Sequence, residues 1–440
     1  KMKVLKVGGT SVGSAQRMKE VAKLITDGEQ KIVVLSAMSG TTNTLVEISD
    51  YLYKKNPEGA NEIINRLEAK YKQHVNELYS TDEYKQKTQE FIKAQFDYIR
   101  SYTKDIFTLF EEKVILAQGE LISTNMVTNY LQEQGVNAIL LPALEFMRTD
   151  KNSEPDPVYI KEKLAAQLEI HPDAEIYITQ GFICRNAYGE IDNLQRGGSD
   201  YTASLIGAAV NASEIQIWTD IDGMHDNDPR IVDKTSPVRH LHFEEAAELA
   251  YFGAKILHPT CVQPAKYANI PVRLLNTMEP TAPGTLISND TEKGKIKAVA
   301  AKDNITAIKI KSSRMLLAHG FLRKVFEIFE SYQTSIDMIC TSEVGVSVSI
   351  DNTKHLNEIL DDLKKYGTVT VDQDMCIICV VGDLEWENVG FEAKALDAMR
   401  DIPVRMISFG GSNYNISFLI REEDKKKALQ SLSDHLFNNK

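Results

Sequence analysis

The sequence predicts an α/β protein with a mainly parallel sheet between helix layers, followed by two ferredoxin-like βαββαβ units. An apolar strand, a loop of small residues and a helical pattern follow one another twice, starting at residues 2–7 and at residues 31–35. This order is typical of parallel sheets, in which helices connect neighbouring strands. After residue 303 the order strand, helix, strand, strand, helix, strand occurs twice, with an offset of about 70 residues. The repeat suggests a paired regulatory module.

The other elements of the first part follow from apolar runs and their spacing. Residues 60–118 contain neither glycine nor proline, and their apolar residues recur at helical spacing, which predicts a helical insertion built as a hairpin of helices. Further strands are predicted at residues 138–141, 175–179, 215–218 and 272–274, each followed by small or polar residues. Ligands of open α/β sheets bind beyond the carboxyl ends of the strands, so these loops are the expected site.

A shift in composition marks the predicted domain boundaries. Proline, glycine, asparagine, aspartate and lysine collect at residues 281–303, which is typical of a junction. We therefore expect an N-terminal domain over residues 1–290, a linker over 291–303, and two C-terminal units over 304–373 and 374–440.

Composition and charge exclude several classes of protein. The 440 residues are 43% hydrophobic and 25% charged, with a net charge of -12, so general binding to nucleic acid or to an anionic membrane is not expected. No apolar stretch approaches the roughly 18 residues that span a bilayer, and the first residues do not resemble a signal peptide, so a cytoplasmic protein is expected. Cys376 and Cys379 fall on one predicted strand and point to opposite faces, which argues against a shared metal or disulfide.

The first candidate site is the loop that follows the first strand. It fits neither the Walker nor the dinucleotide fingerprint. Gly8 and Gly9 would let backbone N–H groups approach an anion, Thr10 and Ser11 add donors, and Lys6 brings a cation. The loop therefore predicts a phosphate site, with a plain glycine turn as the alternative.

The second candidate site is the segment 196–201 (RGGSDY) before an apolar helix. The Arg196 guanidinium suits a carboxylate, and Ser199 or Asp200 would sit at the helix start. Together these groups suit a small zwitterion, although Asp200 is alternatively a simple cap. Two further candidates lie downstream: an acidic turn that follows residue 218, and Lys255 beside a glycine. His258 precedes a proline, which is typical of a histidine at a helix end or in the core.

Six segments together resemble the aspartate kinase family, in that family's order. They are residues 6–12 (KVGGTSV), 118–120 (QGE), 196–201 (RGGSDY), 218–220 (WTD), 228–230 (DPR) and 252–259 (FGAKILHP). The C-terminal part resembles the family's tandem ACT domains, so the resemblance covers essentially the whole chain. It implies the amino acid kinase fold and transfer of the ATP γ-phosphoryl group to the side-chain carboxylate of L-aspartate. The product, 4-phospho-L-aspartate, leads to lysine, threonine and methionine, in the lysine case by the diaminopimelate pathway.

The resemblance also implies roles for individual residues. Residues expected in catalysis are Lys6, Gly8, Gly9, Asp200 and Lys255. Those expected to bind aspartate are Ser36, Thr42, Glu120, Arg196 and Ser199. Those expected to bind the nucleotide are Lys6, Gly9, Thr10, Ser11, Thr219, Asp220, His225, Arg230 and Lys255. Mg²⁺ would arrive on the ATP phosphates, so no protein metal site is expected. The sequence departs from the family at Val7, usually Phe, and at His225, commonly Tyr.

This chemistry agrees with the residues present. A carboxylate nucleophile is already ionised at pH 7, so no general base is needed, and none is evident. The barrier is the repulsion between two anions, which fixed cations and donors would lower by alignment and charge neutralisation.

The first C-terminal repeat resembles the effector-binding segment of lysine-inhibited family members. The implied effector residues are Met315, His319, Gly320, Phe321, Ser335, Asp337, Thr341, Ser342 and Glu343. Asp337 and Glu343 offer negative charge to a cationic amino acid, whereas the second repeat has Arg405 in place of Asp337. L-lysine is therefore the expected effector. Alternatively, both repeats serve only to join subunits side by side, and a homo-oligomer is expected in either case.

Two other functions remain open at this point. The chain could be a kinase of the same fold acting on glutamate, N-acetylglutamate or UMP, although those relatives lack paired repeats of this form. It could also be a non-catalytic amino-acid sensor. Retention of Lys6, Arg196, Asp200 and Lys255 together argues against a sensor, because these charges have no use without a ligand.

Overall fold

The computed structural model describes residues 1–195, 197–254, 257–312 and 319–437. The chain divides into two compact units. The first unit comprises Lys1–Gly223 and Leu257–Asn289, and the second comprises Met224–Ile256 and Asp290–Lys440. Each is described by itself below.

The helices and strands of the described residues are numbered in chain order. The helices are α1 (Ala15–Ile25), α2 (Thr41–Tyr53), α3 (Pro57–Leu78), α4 (Asp82–Ser101), α5 (Leu109–Glu133), α6 (Pro157–Ile170), α7 (Gly198–Val210), α8 (Phe243–Tyr251), α9 (Gln263–Tyr267), α10 (Phe321–Ser331), α11 (Leu356–Leu363), α12 (Phe391–Ala398) and α13 (Lys425–Leu436). The strands are β1 (Lys3–Val7), β2 (Lys31–Leu35), β3 (Ala138–Leu141), β4 (Ile176–Gln180), β5 (Ile183–Arg185), β6 (Ile191–Asn193), β7 (Ile215–Thr219), β8 (Met224–His225), β9 (Pro237–Val238), β10 (His240–His242), β11 (Val272–Asn276), β12 (Thr285–Ser288), β13 (Ile296–Lys311), β14 (Ile339–Thr341), β15 (Gly345–Ile350), β16 (Thr368–Gly382), β17 (Met406–Phe409) and β18 (Asn415–Arg421).

The main sheet of the first unit is parallel except at one strand. Its strands lie in the order β12, β11, β7, β1, β2, β4, β3. β1 pairs in parallel with β2 and with β7, and only β12 runs antiparallel to its neighbour β11. All five residues of β2 are buried, as expected for a parallel sheet covered on both faces. The predicted parallel sheet is confirmed, and each strand predicted for this sheet matches an observed one to within two residues.

The helical insertion belongs to the core of the first unit. The predicted helix hairpin is present as α3 and α4, and α5 continues past the predicted end at residue 118 to Glu133. Tyr71 of α3 and Phe96 of α4 are fully buried and share one apolar cluster with Val7 and Leu35 at the ends of β1 and β2. The insertion therefore shares one core with the strand ends that carry the expected site.

Two ferredoxin-like halves form the antiparallel sheet of the second unit. Its strand order is β14, β15, β13, β16, β18, β17. β13 and β16 are long strands that run through both halves and pair with each other. Each half has its own apolar core, one containing Ile308 and Phe321 and the other containing Val299 and Phe418.

The long strands correct two of the predicted boundaries. The linker expected at 291–303 is a strand from Ile296 onward, and residues 296–302 pair with residues 377–382 of the second half. A strand of the second half thus precedes the first half in the chain. The predicted strands at 369–371 and 376–381 are one strand, β16. These corrections have one cause, because pairing across about 80 residues leaves no local signal in the sequence.

The segment 224–256 also falls outside the unit in which we expected it. It was placed in the N-terminal domain, yet it clusters with the C-terminal residues. The Asn227 side-chain amide donates to the Leu429 carbonyl at 2.9 Å, and the Val299 amide donates to the Asp226 carbonyl at 2.8 Å. These hydrogen bonds attach the segment to β13 and α13.

The two cysteines of the C-x-x-C sequence are buried on one strand. Cys376 and Cys379 both lie on β16, and burial raises the pKa of both thiols. All five cysteines are free thiols. Within the described ranges, no helix combines the length and the apolar character needed to cross a bilayer.

Candidate active site and effector cluster

A cleft of about 310 Å³ in the first unit brings together several of the predicted site residues. It lies where β1, β2 and β4 end and where α2 and α7 begin. Its lining consists of Gly9, Ser36, Ala37, Met38, Ser39, Gly40, Thr42, Asn43, Glu120, Phe182, Gly198 and Ser199. Five of the residues predicted to bind aspartate or phosphate therefore share one cleft.

The glycines after β1 act mainly through the space they leave. A Cβ on Gly9 would lie 2.8 Å from the Ala37 carbonyl oxygen, so no larger residue fits there. The Gly8 amide donates to the Trp218 carbonyl at 3.2 Å. This corrects the expectation that the Gly8 amide would face a phosphate, because the pairing of β1 with β7 continues one residue past the strand. A Cβ at Gly8 would lie 3.4 Å from Lys6 Nζ, an ordinary contact distance, so the Lys6 ammonium packs beside Gly8.

Lys6 and Asp200 form an ion pair beside the cleft. Their Nζ and Oδ1 atoms are 3.0 Å apart, and the side chains are 12% and 20% exposed. Asp200 stands in the first turn of α7, where the helix dipole favours a carboxylate. Gly197, with φ 71°, occupies the N-cap position itself, so Asp200 is not merely a cap. The pair holds an ammonium group ready at the end of β1.

Glu120 is a buried carboxyl group with unused hydrogen-bonding capacity. The residue is 3% exposed, and the Ala37 amide donates to Oε1 at a long 3.4 Å. Among the described residues, Oε2 has no hydrogen-bond partner. Burial raises the pKa of Glu120 to about 8, against the opposing effect of backbone hydrogen bonds. A buried carboxylate without a cation is costly, so this group suits a positively charged ligand.

Hydroxyl groups line the cleft and support the loop after β2. The Ser36 hydroxyl donates to the Ser199 hydroxyl at 3.0 Å, and the Ser123 hydroxyl of α5 donates to the Ser36 carbonyl at 2.8 Å. A Cβ on Gly119 would lie 2.8 Å from the Ala37 side chain, so α5 packs directly on the loop after β2. The loop after β2 is thus held by contacts with both α5 and α7.

Sequence reasoning missed Tyr71 and Thr41. The Tyr71 hydroxyl on α3 lies 2.6 Å from the Thr41 hydroxyl, and both residues are buried. Thr41 is the first residue of α2, immediately before the cleft residue Thr42. Helical periodicity marks Tyr71 only as a core residue, so no sequence signal shows this contact.

Phe182 was also missed, although it lines the cleft. It follows β4 and has a φ of 73°, a left-handed conformation that is costly for a bulky residue and often found at functional sites. Its amide donates to the Thr202 hydroxyl of α7 at 2.9 Å. The loop after β4 was expected to contribute to the site, but nothing in the sequence indicates the unusual backbone.

The remaining loop residues of the first unit lie apart from this cleft. The Ser11 hydroxyl is 2.9 Å from the Thr277 hydroxyl, and both residues line a separate cleft of about 410 Å³. The Thr277 amide donates to the Thr219 carbonyl at 2.8 Å. Thr10 and Asp220 are exposed. Thr277 therefore joins two of the predicted nucleotide residues, Ser11 and Thr219, and was not itself predicted.

Four further predicted residues are not placed in either cleft. In the second unit, His225 Nδ1 is 2.8 Å from the Thr235 hydroxyl, and the Arg230 guanidinium holds Asp228 with two contacts of 2.9 and 3.1 Å. Arg196 and Lys255 lie outside the described residues.

Asp337 is the centre of the predicted effector site, and it already contacts a cation. Its side chain is 1% exposed, and Oδ1 lies 3.3 Å from Lys302 Nζ and accepts a hydrogen bond from Tyr251 at 3.3 Å. Oδ2 is buried without a hydrogen-bond partner in the described part of the chain. Burial raises the pKa of Asp337, and Lys302 opposes this effect. The carboxyl group therefore has one occupied and one free oxygen.

The other predicted effector residues lie mostly at the surface. The exposed ones are His319, Gly320, Ser335, Thr341, Ser342 and Glu343. Phe321 is buried at the start of α10, and Met315 lies outside the described residues.

The chain is similar to known proteins over its whole length. The model of the amino acid kinase family matches residues 1–276, and an ACT domain model matches residues 378–436. Lysine-sensitive aspartokinase 3 of Escherichia coli K12 is 32% identical over 447 residues, which cover 99% of this chain and 99% of that protein. Aspartokinase 1, chloroplastic, of Arabidopsis thaliana is 35% identical over 465 residues, covering 99% of this chain and 80% of that protein.

Solved structures show the same similarity in three dimensions. Escherichia coli aspartokinase III in complex with lysine and aspartate, in the T-state, matches with a TM-score of 0.83 at 33% identity and covers 99% of this chain and 100% of that chain. The R-state complex of that enzyme with aspartate and ADP gives 0.82 at 31% identity and covers both chains fully, at 100% each. With its amino acid kinase fold, its ACT domains and relatives similar over its whole length, the chain belongs to the aspartokinase family.

Proposed function

We propose that this chain transfers the γ-phosphoryl group of ATP to the side-chain carboxylate of L-aspartate, giving 4-phospho-L-aspartate. The observation that supports this most directly is the cleft lined by the buried carboxyl group of Glu120 and by the hydroxyls of Ser36 and Ser199, with the Lys6–Asp200 ion pair next to it in the chain. A solved relative holds aspartate and ADP together. The site thus offers a carboxyl group for a cation and an ammonium group for phosphate.

Glu120 is assigned to the ammonium group of the substrate. Its desolvated carboxyl group lacks a cation in the described residues, and an amino acid supplies one. Ser36, Ser199 and Thr42 would hydrogen-bond to the substrate, and Arg196 would bind a carboxylate. N-acetylglutamate and UMP carry no ammonium group, so this arrangement disfavours both as substrates.

Lys6 is assigned to the phosphates, with Lys255 as its counterpart. The ammonium of Lys6 is held by Asp200 at 3.0 Å, and an incoming phosphate would share or take over that contact. The positive charge offsets the repulsion between the aspartate carboxylate and the γ-phosphate, and proximity supplies the alignment. Because the aspartate carboxylate is already ionised, no residue needs to remove a proton.

The metal ion is assigned to the nucleotide. Mg²⁺ prefers oxygen ligands and is commonly held by substrate phosphates with only one or two protein carboxylates. In the described ranges, no three acidic, histidine or cysteine side chains are arranged as a metal site, and Asp200 is the carboxylate nearest Lys6. When bound, the ion would neutralise phosphate charge during transfer.

A direct assay tests the reaction. Purified protein with ATP, Mg²⁺, aspartate and hydroxylamine is expected to form aspartyl hydroxamate, because hydroxylamine traps acyl phosphates. Glutamate and N-acetylglutamate serve as parallel substrates, and UMP, whose product cannot form a hydroxamate, is tested by the formation of ADP. Formation of hydroxamate only from glutamate, or from no substrate, would contradict the proposed function.

We also assign inhibition by L-lysine to the first ACT half. Asp337 provides negative charge there, whereas Arg405 of the second half is already paired with Asp372 at 2.9 Å. A relative forms a complex with lysine, which supports lysine as the effector. Inhibition by threonine without inhibition by lysine would contradict the assignment.

Pairing of ACT sheets between copies is the proposed route to a homo-oligomer. Ile339 on the edge strand β14 and Ile407 and Phe409 on the edge strand β17 are exposed apolar residues, which proteins usually cover. Light scattering after gel filtration would reveal a monomer if the proposal fails.

The use of ATP and the five free thiols support a cytoplasmic location.

A further inference from the structure

The first turn of α7 carries two of the groups assigned above, Ser199 and Asp200. Ser199 lines the cleft and accepts a hydrogen bond from Ser36 at 3.0 Å. Asp200 lies 3.0 Å from the Lys6 ammonium. Serine and aspartate are short side chains, so the groups that they reach depend on where the backbone of this turn lies.

The turn is packed between two other segments without spare room. A Cβ on Gly181, which follows β4, would collide with the Ser199 side chain. A Cβ on Gly197 would collide with the Sγ atom of Cys261. The Cys261 thiol therefore fills the space that a side chain at position 197 would need, and the turn rests directly on it.

Thr202 attaches the turn to the loop after β4. Its fully buried hydroxyl donates to the Gly198 carbonyl at 3.2 Å and accepts from the Phe182 amide at 2.9 Å. Gly198 and Phe182 both line the cleft. Phe182 also has the costly φ of 73°, which a surrounding contact must maintain. One hydroxyl thus fixes the separation of two segments that line the cleft.

Cys261 supports the same turn close to the Lys6–Asp200 ion pair. The residue is 2% exposed and lies in a short 3-10 helix, Pro259–Val262. Burial raises the pKa of its thiol to about 12, the charge of Asp200 adds to this effect, and a backbone hydrogen bond and Lys6 oppose it. The thiol is therefore neutral at pH 7 and near both charges of the pair.

We propose that Thr202 and Cys261 are positioning residues for phosphoryl transfer, with separate tasks. Thr202 holds the part of the turn that binds aspartate, and Cys261 holds the part that keeps Asp200 against Lys6. Both act through other residues rather than on the reactants. This inference rests on the proposed transfer from ATP to aspartate.

Substitutions of Thr202 test the first task. Thr202→Val keeps the shape but leaves the Phe182 amide without its acceptor, so the KM for aspartate is expected to rise about tenfold with kcat within threefold. Thr202→Ser keeps the hydroxyl and should restore the KM to within twofold. Thr128→Val is the control, because this buried hydroxyl also donates to the carbonyl four residues earlier, at 2.7 Å, and it should leave the KM unchanged. Equal KM values for Thr202→Val and Thr202→Ser would contradict the role of the hydroxyl.

Substitutions of Cys261 test the second task. Cys261→Ala removes the atom on which Gly197 rests, so Asp200 should hold Lys6 less well and kcat is expected to fall about fivefold, with the KM for aspartate within twofold. Cys261→Ser keeps an atom at this position and should restore kcat to within twofold. Cys379→Ala, at a buried thiol of the second unit, is the control. A residue that contributes only to stability would leave kcat unchanged, and wild-type kcat in Cys261→Ala would contradict the proposal.

Alkylation of the thiols gives a readout that does not depend on turnover. Cys261 is buried against Gly197 and protonated, so N-ethylmaleimide should reach it only when the turn moves away. Aspartate, which is assigned to Ser199 of this turn, should slow the alkylation of Cys261 about fivefold and leave Cys379 unchanged. Mass spectrometry of the digested protein measures both rates. No slowing at Cys261, or equal slowing at both cysteines, would contradict the link between Cys261 and the aspartate-binding turn.

The outcomes separate this inference from the proposed function. If the wild type forms no aspartyl hydroxamate, the proposed function fails and the positioning roles fail with it. If the wild type forms hydroxamate while Thr202→Val keeps the wild-type KM and Cys261→Ala keeps the wild-type kcat, the positioning roles alone are wrong. If either variant does not fold, the alkylation of Cys261 in the wild type decides.

Discussion

Glu120 in the first unit and Asp337 in the second are both buried carboxyl groups, but among the described residues only Asp337 has a cation beside it. Glu120 receives a single long hydrogen bond of 3.4 Å from the Ala37 amide. Asp337 is 3.3 Å from the Lys302 ammonium and accepts a hydrogen bond from Tyr251. Burial raises the pKa of both groups, and Lys302 counteracts this rise only at Asp337. At Glu120 a cationic ligand would displace none of the described side chains. At Asp337 it would have to replace the Lys302 ammonium.

The surrounding elements explain the difference. Glu120 lies in the middle of α5 and points at a loop whose residues carry hydroxyl and amide groups but no ammonium in the described cleft lining. Asp337 precedes β14, and its amide donates to the Ser349 carbonyl of β15 at 2.8 Å, which brings it within reach of Lys302 on β13. Substrate binding at Glu120 would displace none of the described side chains, whereas binding at Asp337 would compete with Lys302.

Glu120→Gln should give the largest effect. The amide keeps the shape but cannot neutralise the substrate ammonium, so the KM for aspartate is expected to rise about 100-fold, within the range for loss of one partner of a buried charge pair. The response to lysine should remain. Steady-state kinetics at varied aspartate measure the change, with Glu112→Gln on the same helix as the control. An unchanged KM would show that Glu120 is not the ammonium site.

Asp337→Asn is the reciprocal change. The half-inhibitory lysine concentration is expected to rise about 30-fold, because the effector ammonium loses its charged partner, while the KM for aspartate stays within twofold. Lys302 keeps its contact with Asp351 at 3.0 Å, so folding is expected to be retained. Inhibition curves at fixed aspartate measure the effect. Equal inhibition of variant and wild type would remove Asp337 from the effector site.

The pH dependence of stability should reveal Glu120 directly. Its pKa is about 8 in the folded state and near 4.5 when unfolded, so the folded state holds an extra proton between these values. The contribution of Glu120 to stability is therefore full below pH 4.5 and is lost as the pH rises through 8. Glu120→Gln removes this contribution to the slope. Urea unfolding at pH 5, 6.5 and 8 measures this slope. If the free energy of unfolding changed equally with pH in the variant and the wild type, the raised pKa would be contradicted.

The sequence predicted local features well and long-range pairings poorly. Apolar runs located the strands of the first unit because each buried strand is itself a run of apolar residues. The linker expected at 291–303 was wrong because strand formation from Ile296 depends on residues 377–382. The same limit applies within the site. Glu120 and Asp337 were predicted, yet the bonding of Gly8 to Trp218 and the proximity of Lys302 to Asp337 arise only when the chain folds.

Tyr71→Phe should give the smallest effect, and it tests how the start of α2 is positioned in the cleft that contains Glu120. The substitution removes the hydroxyl that lies 2.6 Å from the Thr41 hydroxyl and leaves the buried ring in place. Thr41 and Thr42 open α2, so we expect Thr42 to shift, and the KM for aspartate to rise about fivefold with kcat within twofold. Tyr53→Phe, which removes a surface contact with Glu112 at 2.8 Å, is the control. The double variant Tyr71→Phe with Thr41→Val removes both hydroxyls of this contact, so neither is left without its partner. If its KM matched that of the wild type, the fivefold effect would come from an unpaired hydroxyl rather than from positioning, and the role of α3 in the site would be wrong.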